Sequence, residues 1–149
     1  MTEADRIIAH LGLQPHPEGG WYRQTWAGPK LHAGTNSRAS GTAILFLLKA
    51  GEVSHWHRVD ADEVWIWNAG APLILSVGLD SAQDIRLGPD VLGGDSAQAV
   101  VPAGHWQAAR STGDWTLVSC TVSPGFRFEG FELAPPGFDL PRTGLASGG

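Results

Sequence analysis

The residue types best suited to chemistry crowd into one stretch, Gly51 to Gly70, reading GEVSHWHRVDADEVWIWNAG. His55 and His57 stand two apart, and Glu63 follows six residues after His57. Imidazole titrates closest to neutral pH, so either ring suits proton transfer or metal ligation. A carboxylate beside an imidazole can orient it, balance its charge or share a metal with it. Alternate residues of a strand share a face. That puts His55, His57 and Val59 together, with Ser54, Trp56 and Arg58 opposite. After a polar turn, Asp60-Ala61-Asp62, the alternation resumes with Glu63, Trp65 and Trp67 on one face. The stretch reads as a β-hairpin with imidazole and carboxylate on the same side of a sheet. On one strand, His55 and His57 would have Cα atoms ~6.6–6.8 Å apart.

The rest of the chain supplies the scaffold for that hairpin. At 149 residues it fits one domain, large enough to bury a core without staples. The net charge of −5 and the lack of a basic run exclude nucleic acid and anionic membrane as expected partners. Cys120 is the only cysteine and sits in an apolar run, so it reads as a small buried hydrophobe. No basic start with a long apolar stretch and no ~18-residue apolar run occurs, so the expectation is a cytoplasmic protein outside the membrane.

Residues 2–12 predict a short helix, capped by Thr2 and ended by Gly12, with Ile7, Ile8 and Leu11 as its apolar stripe. Gln14 to Gly20 is a shaped Pro/Gly loop in which His16 and Glu18 could serve a site, with loop packing the preferred reading. Trp21 to Trp26 reads as a short strand that carries Tyr22. Residues 27–40 form a surface loop ending near Arg38, a carboxylate or phosphate anchor or a solvated charge. Short strands follow at 42–48, 72–79, 84–87, 96–101, 105–109, 114–123 and 126–133, separated by turn signals. The tail, 139–149, is expected to be flexible, leaving 1–138 as the domain.

The spacing in the hairpin resembles the first motif of the cupins: Gly51, five residues, His57, one residue, Val59, three residues, Glu63, six residues, Gly70. Pro102-Ala103-Gly104-His105-Trp106-Gln107 resembles their second motif, with Gln107 at the histidine position. Val59 likewise stands where the second histidine of the pair belongs. HPEGGWYRQT, RASGTAILFLL, VPAGHWQAA and LVSCTVSPGFRFEGFEL extend the resemblance to the type-five cupins, a branch of RmlC-like proteins, as far as Leu133. The resemblance implies an all-β double-stranded β-helix, the jelly-roll barrel, with a short N-terminal helix. It also implies a homodimer and a ligand pocket. It fixes no reaction, because cupins include metal-dependent oxygenases and lyases, metal-free sugar epimerases, isomerases and storage proteins.

Three readings of the pocket follow. In the first, His57 is a general base, Glu63 orients it, and Tyr22 donates a proton from across the substrate. His55, Trp65, Gln107 and Arg38 would then bind the substrate, Trp65 as a flat stacking surface. In the second, His55, His57, Glu63 and Gln107 hold a divalent metal, weakly, since an amide oxygen is a poor ligand beside imidazole. In the third, the barrel binds a small molecule without catalysis, and the histidines are hydrogen-bonded bystanders. The preferred reading is a small-molecule-binding barrel for a sugar-like or carboxylate metabolite, a metal-independent isomerase or epimerase if it is an enzyme, with no firm cofactor; a metal-dependent oxygenase or lyase and a non-enzymatic binding protein are the alternatives. A small-molecule ligand and a second copy of the chain are the expected partners.

Overall fold

The computed structural model describes residues 1–34 and 37–143. Glu3–Leu11 forms the one α-helix among the described residues, α1. The Thr2 hydroxyl accepts from the Asp5 amide, and the Asp5 carboxylate accepts from the Thr2 amide, closing a capping box. Ala4, Ile7, Ile8 and Leu11 pack with Leu13, Leu45, Leu47 and Leu117 against one sheet. No helix among the described residues is long and apolar enough to cross a membrane.

Everything else of regular structure is strand, apart from one 3-10 turn. The strands are β1 (Gln14–Pro15), β2 (Trp21–Ala27), β3 (Thr42–Lys49), β4 (Val53–Val59), β5 (Asp62–Gly70) and β6 (Leu73–Gly78). They continue with β7 (Ala82–Leu87), β8 (Gln98–Val101), β9 (Trp106–Ser111), β10 (Trp115–Ser123) and β11 (Phe131–Leu133). They form two antiparallel sheets, in the orders β1-β2-β3-β10-β5-β8 and β11-β4-β9-β6-β7. Successive strands of the β4–β5 hairpin thus lie in opposite sheets, so the hairpin spans the barrel instead of pairing with itself. This is the double-stranded β-helix, and its two sheets face each other across a shared core.

That core is filled by alternate residues from both sheets: Phe46, Leu48, Trp65, Leu73, Leu75, Leu87, Val101 and Val118. Phe46 and Trp65 meet edge to face, with centroids 5.9 Å apart. The segment expected to be one strand at 126–133 is instead a 3-10 turn, Phe128–Gly130, followed by the short β11. Gly130 sits against Asp60, whose amide donates to its carbonyl oxygen at 3.1 Å, and this closes the turn.

The tail is expected from residue 139, but Asp139 to Thr143 packs against the outer face of the five-stranded sheet. Leu140 is buried with Trp56, Ala82 and Ala134. The Ala82 amide donates to Pro141 at 2.8 Å, and the Trp56 indole N–H donates to Asp139 at 3.1 Å. Residues 144–149 lie outside the described residues.

Candidate functional site

A cavity of about 220 Å³ lies between the sheets. His16 and Glu18 reach it from the β1–β2 loop, and Tyr22 and Gln24 from β2. His57 and Val59 line it from β4, Glu63 from β5 and Cys120 from β10, while Phe126 and Phe128 come from the loop after β10. Phe128 is half exposed and marks the mouth.

One irregularity in β4 organises this site. Ser54 pairs with Ala109 and His57 with Gln107, so β4 carries one residue more than β9 between these pairs. Such a bulge breaks the two-residue alternation. Ser54 and His57 turn inwards and are buried, whereas His55 turns out and its Nε2 meets the Pro135 carbonyl at 3.0 Å. The expectation that His55 and His57 share a face therefore fails. The bulge also frees the His55 amide from the ladder, and it donates to the Glu18 carbonyl oxygen at 2.7 Å. That bond docks the β1–β2 loop onto the bulge.

The loop itself is shaped to fit there. The His16 amide donates to Gly20 at 2.9 Å, and the Gly19 amide donates to His16 at 3.0 Å. Gly19 has φ 109°, and a Cβ there would run into the Val53 carbonyl oxygen. With the loop held so tightly, Glu18 enters the barrel. Its Oε2 lies 3.3 Å from His57 Nε2 and accepts from the Ser54 hydroxyl, while its Oε1 lies 3.2 Å from His16 Nδ1.

His57 is thus partnered by Glu18. The expected His57–Glu63 contact is absent, since no ion pair within 4.0 Å joins these two residues. Glu63 is held from behind. Trp65 donates its indole N–H to Gln107 Oε1 at 2.7 Å, and Gln107 Nε2 donates to Glu63 Oε1 at 2.9 Å. An indole can only donate, so this bond fixes which way the amide points. The Cys120 thiol lines the cavity together with Glu63.

Burial dominates the electrostatics. It pushes Glu18 up to about 7, against the pull of His16 and the Ser54 hydroxyl. It pushes Glu63 up to about 7 as well, against His57 and with help from the nearby Glu18 charge. It holds His57 and His16 below the ordinary imidazole value, with Glu63 opposing the shift at His57 and Glu18 opposing it at His16. Burial and the surrounding carboxylates push the Cys120 thiol well above the ordinary range. Two carboxyls able to gain or lose a proton near neutral pH therefore share one small cavity with two neutral imidazoles.

Of the residues picked from sequence, His57, Glu63 and Tyr22 meet in the cavity. His55 lines a separate groove on the outer sheet face. Trp65 is buried in the core and offers no surface for stacking; Tyr22, Phe126 and Phe128 supply the aromatic wall. Gln107 stands behind Glu63 and outside the lining. Arg38 donates to the Gly125 carbonyl and to both Asp60 oxygens, so it braces the loop before Phe126 instead of reaching the cavity.

A metal does not fit the residues at the motif positions. Val59 has no donor atom, Gln107 has its oxygen committed to Trp65, and His55 faces away. Among the described residues, no group of three His, Cys, Asp or Glu side chains is arranged to hold a metal ion.

Comparison with known proteins agrees with this architecture. Residues 5–134 match the family model Cupin_5, described as Cupin superfamily (DUF985). A hypothetical protein from Leishmania major is 32% identical, with TM-score 0.81, the match covering 89% of this chain and 88% of the other. A Shewanella oneidensis protein is 40% identical, with TM-score 0.80, covering 90% and 85%. KdgF from Halomonas sp., 16% identical with TM-score 0.56 and covering 78% and 90%, shares the fold. None of the curated proteins matches the chain. With the family model spanning residues 5–134, the chain belongs to the Cupin_5 family of the cupin superfamily.

Proposed function

We propose that this cupin binds a small, neutral, hydroxylated carbonyl compound and moves a proton within it without a metal, as an isomerase or epimerase. The observation that carries this reading is the hydrogen bond from His57 Nδ1 to the His55 carbonyl oxygen, at 2.8 Å. A carbonyl oxygen only accepts, so Nδ1 carries the proton and Nε2 of the neutral ring keeps its lone pair. His57 lines a partly apolar cavity, and its Nε2 stands 3.3 Å from Glu18 Oε2, so the base is His57 together with the carboxyl beside it. Removing a proton beside a carbonyl gives an enediolate, with the C–H electron pair passing into the new C=C bond. Tyr22 stands in the same cavity as a proton donor, and Glu63 balances the charge that forms on His57.

The lining favours a neutral metabolite over a carboxylate or phosphate. It carries two carboxyls and two imidazoles, with no lysine or arginine among the described residues. A fixed anion would meet Glu18 and Glu63 with no cation to offset them. The volume, about 220 Å³, suits a sugar-sized molecule and falls below the roughly 300 Å³ lower end for drug-sized ligands.

Thermal unfolding with a panel of short aldoses and ketoses, their carboxylate analogues and their phosphate esters tests the substrate class. A neutral member at about 100 times its Kd should add about 2.7 kcal/mol of stability. The gain should disappear in His57→Ala. Stabilisation by the anionic members alone would refute the assignment.

A further inference from the structure

The two histidines in the cavity are locked in opposite tautomers. His57 Nδ1 donates to the His55 carbonyl oxygen at 2.8 Å, which leaves Nε2 an acceptor. His16 Nδ1 instead accepts from the Glu18 amide at 3.1 Å. An amide N–H only donates, so His16 Nδ1 holds the lone pair and the proton of the neutral ring sits on Nε2. Both locks are made by backbone groups and hold while the two rings are neutral. His16 lines the cavity, and no protein acceptor takes its Nε2–H among the described residues. Both rings line the same cavity, one with an N–H and the other with a lone pair beside Glu18 Oε2 at 3.3 Å.

We propose that His16 is the electrophilic partner of His57, its neutral Nε2–H holding the carbonyl oxygen of an α-hydroxy aldehyde or ketone while His57 takes the proton from the adjacent carbon. The proposal rests on the proton-transfer reading above and adds a catalytic residue and a substrate class to it. The step balances within the substrate. The C–H bond breaks and its proton goes to His57 Nε2. The electron pair forms the C=C bond, and the carbonyl π pair moves to the oxygen held by His16. Return of a proton to the former carbonyl carbon isomerises the substrate, with the hydroxyl proton of the second oxygen passing to the oxygen held by His16, and return to the opposite face of the original carbon epimerises it. No oxidant or metal is required. A neutral imidazole suits this work because its N–H is a closer match in acidity to an enediol than an imidazolium N–H would be.

The surroundings keep His16 neutral. Phe46 and Phe131 face its ring edge-on at 6.0 and 6.1 Å, and Tyr22 at 4.6 Å. Glu18 on its own loop and His57 on β4 are the titratable groups closest to its charge, and they act in opposite directions. Protonation at Nδ1 would trade the Glu18 amide for Glu18 Oε1 at 3.2 Å, while burial opposes the charge. Burial wins, and the ring stays below the ordinary imidazole value.

Imidazole nitrogen shifts of ¹⁵N-labelled protein near pH 8 provide a test that needs no turnover. His16 should show the Nε2–H form and His57 the Nδ1–H form; matching tautomers, or a charged His16, would overturn the proposal. Deuterium uptake from D2O into glyceraldehyde, dihydroxyacetone and longer aldoses gives the second test. His16→Phe leaves the Glu18 amide without its acceptor, so it should melt lower and bind sugar more weakly; at saturating sugar and below its melting temperature it should still lose about 100-fold or more in exchange rate, the usual cost of one oxyanion donor. His16→Gln, which restores an N–H, should recover part of that rate. Unchanged exchange in His16→Phe would remove the donor role and leave the base assignment standing. No exchange by the wild-type protein on any of these compounds would sink the wider reading together with this role.

Discussion

At the scale of single residues, the site depends on groups held away from their ordinary charge state. Glu18 is protonated more readily in the folded chain than in the unfolded one, because burial lifts it from the usual 4.5 to about 7. Between those values folding takes up a proton, so this group makes stability fall as pH rises. His16 and His57 act the other way. They are held neutral when folded, so the unfolded chain gains protons as pH drops below 6.5 and the fold loses stability there. Glu18→Gln removes the first contribution, and with it the charge that raises Glu63 and His16. Urea unfolding from pH 4.5 to 8 should show the variant gaining on the wild type up to about pH 7, then levelling off. The full gain is on the order of 3 kcal/mol. A difference that is flat across this range would mean that Glu18 ionises freely, and the account of the cavity would fail. Gln107→Leu is a second residue-level test. It strands the Trp65 indole N–H and one Glu63 oxygen, both buried, and should cost about 2–4 kcal/mol in the same measurement.

At the scale of elements, the alternation of apolar residues made most strands legible, and the helix was legible from its cap and stripe. The inward face of β5 was also correct, with Glu63 and Trp65 buried together. His55 was misplaced because a bulge is not a property of one strand. The extra residue in β4 exists only relative to β9, and nothing in VSHWHRV announces it. His16 and Glu18 were visible as residues that could serve a site, but loop packing was the preferred reading. Their loop docks through the His55 amide that the bulge releases, a long-range consequence that local pattern cannot carry. The one local signal was Gly19-Gly20 directly after Glu18, since paired glycines mark a close approach of backbone. Gly19→Ala should therefore act as a loop-docking defect. The strained φ and the collision with Val53 should cost about 1–3 kcal/mol. Sugar-induced stabilisation should weaken far more than it does in a surface variant of equal stability. Calorimetry on the pair checks this, and equal ligand effects in the two would contradict the role given to the loop.

At the scale of the whole molecule, we expect a homodimer. Trp26 on β2 is 52% exposed, whereas Trp21 is taken up within the protomer by Glu52 and Lys49. Sedimentation at micromolar protein should give about twice the 15.8 kDa of one chain, and Trp26→Ser should shift it towards the monomer. A single species at the monomer mass would reject the assembly and leave the cavity, which lies within one protomer, untouched. In that cavity we propose that His57 removes a carbon-bound proton without a metal. The most direct test is deuterium uptake from D2O into the carbon beside the carbonyl of a neutral hydroxy aldehyde or ketone. Wild-type protein and His57→Ala, both stripped by chelator and checked for metal content, should be compared. Exchange by the stripped wild type, lost by about 100-fold or more in His57→Ala, is the predicted result. Exchange that appears only when a divalent metal is added back, or that survives in His57→Ala, would contradict it.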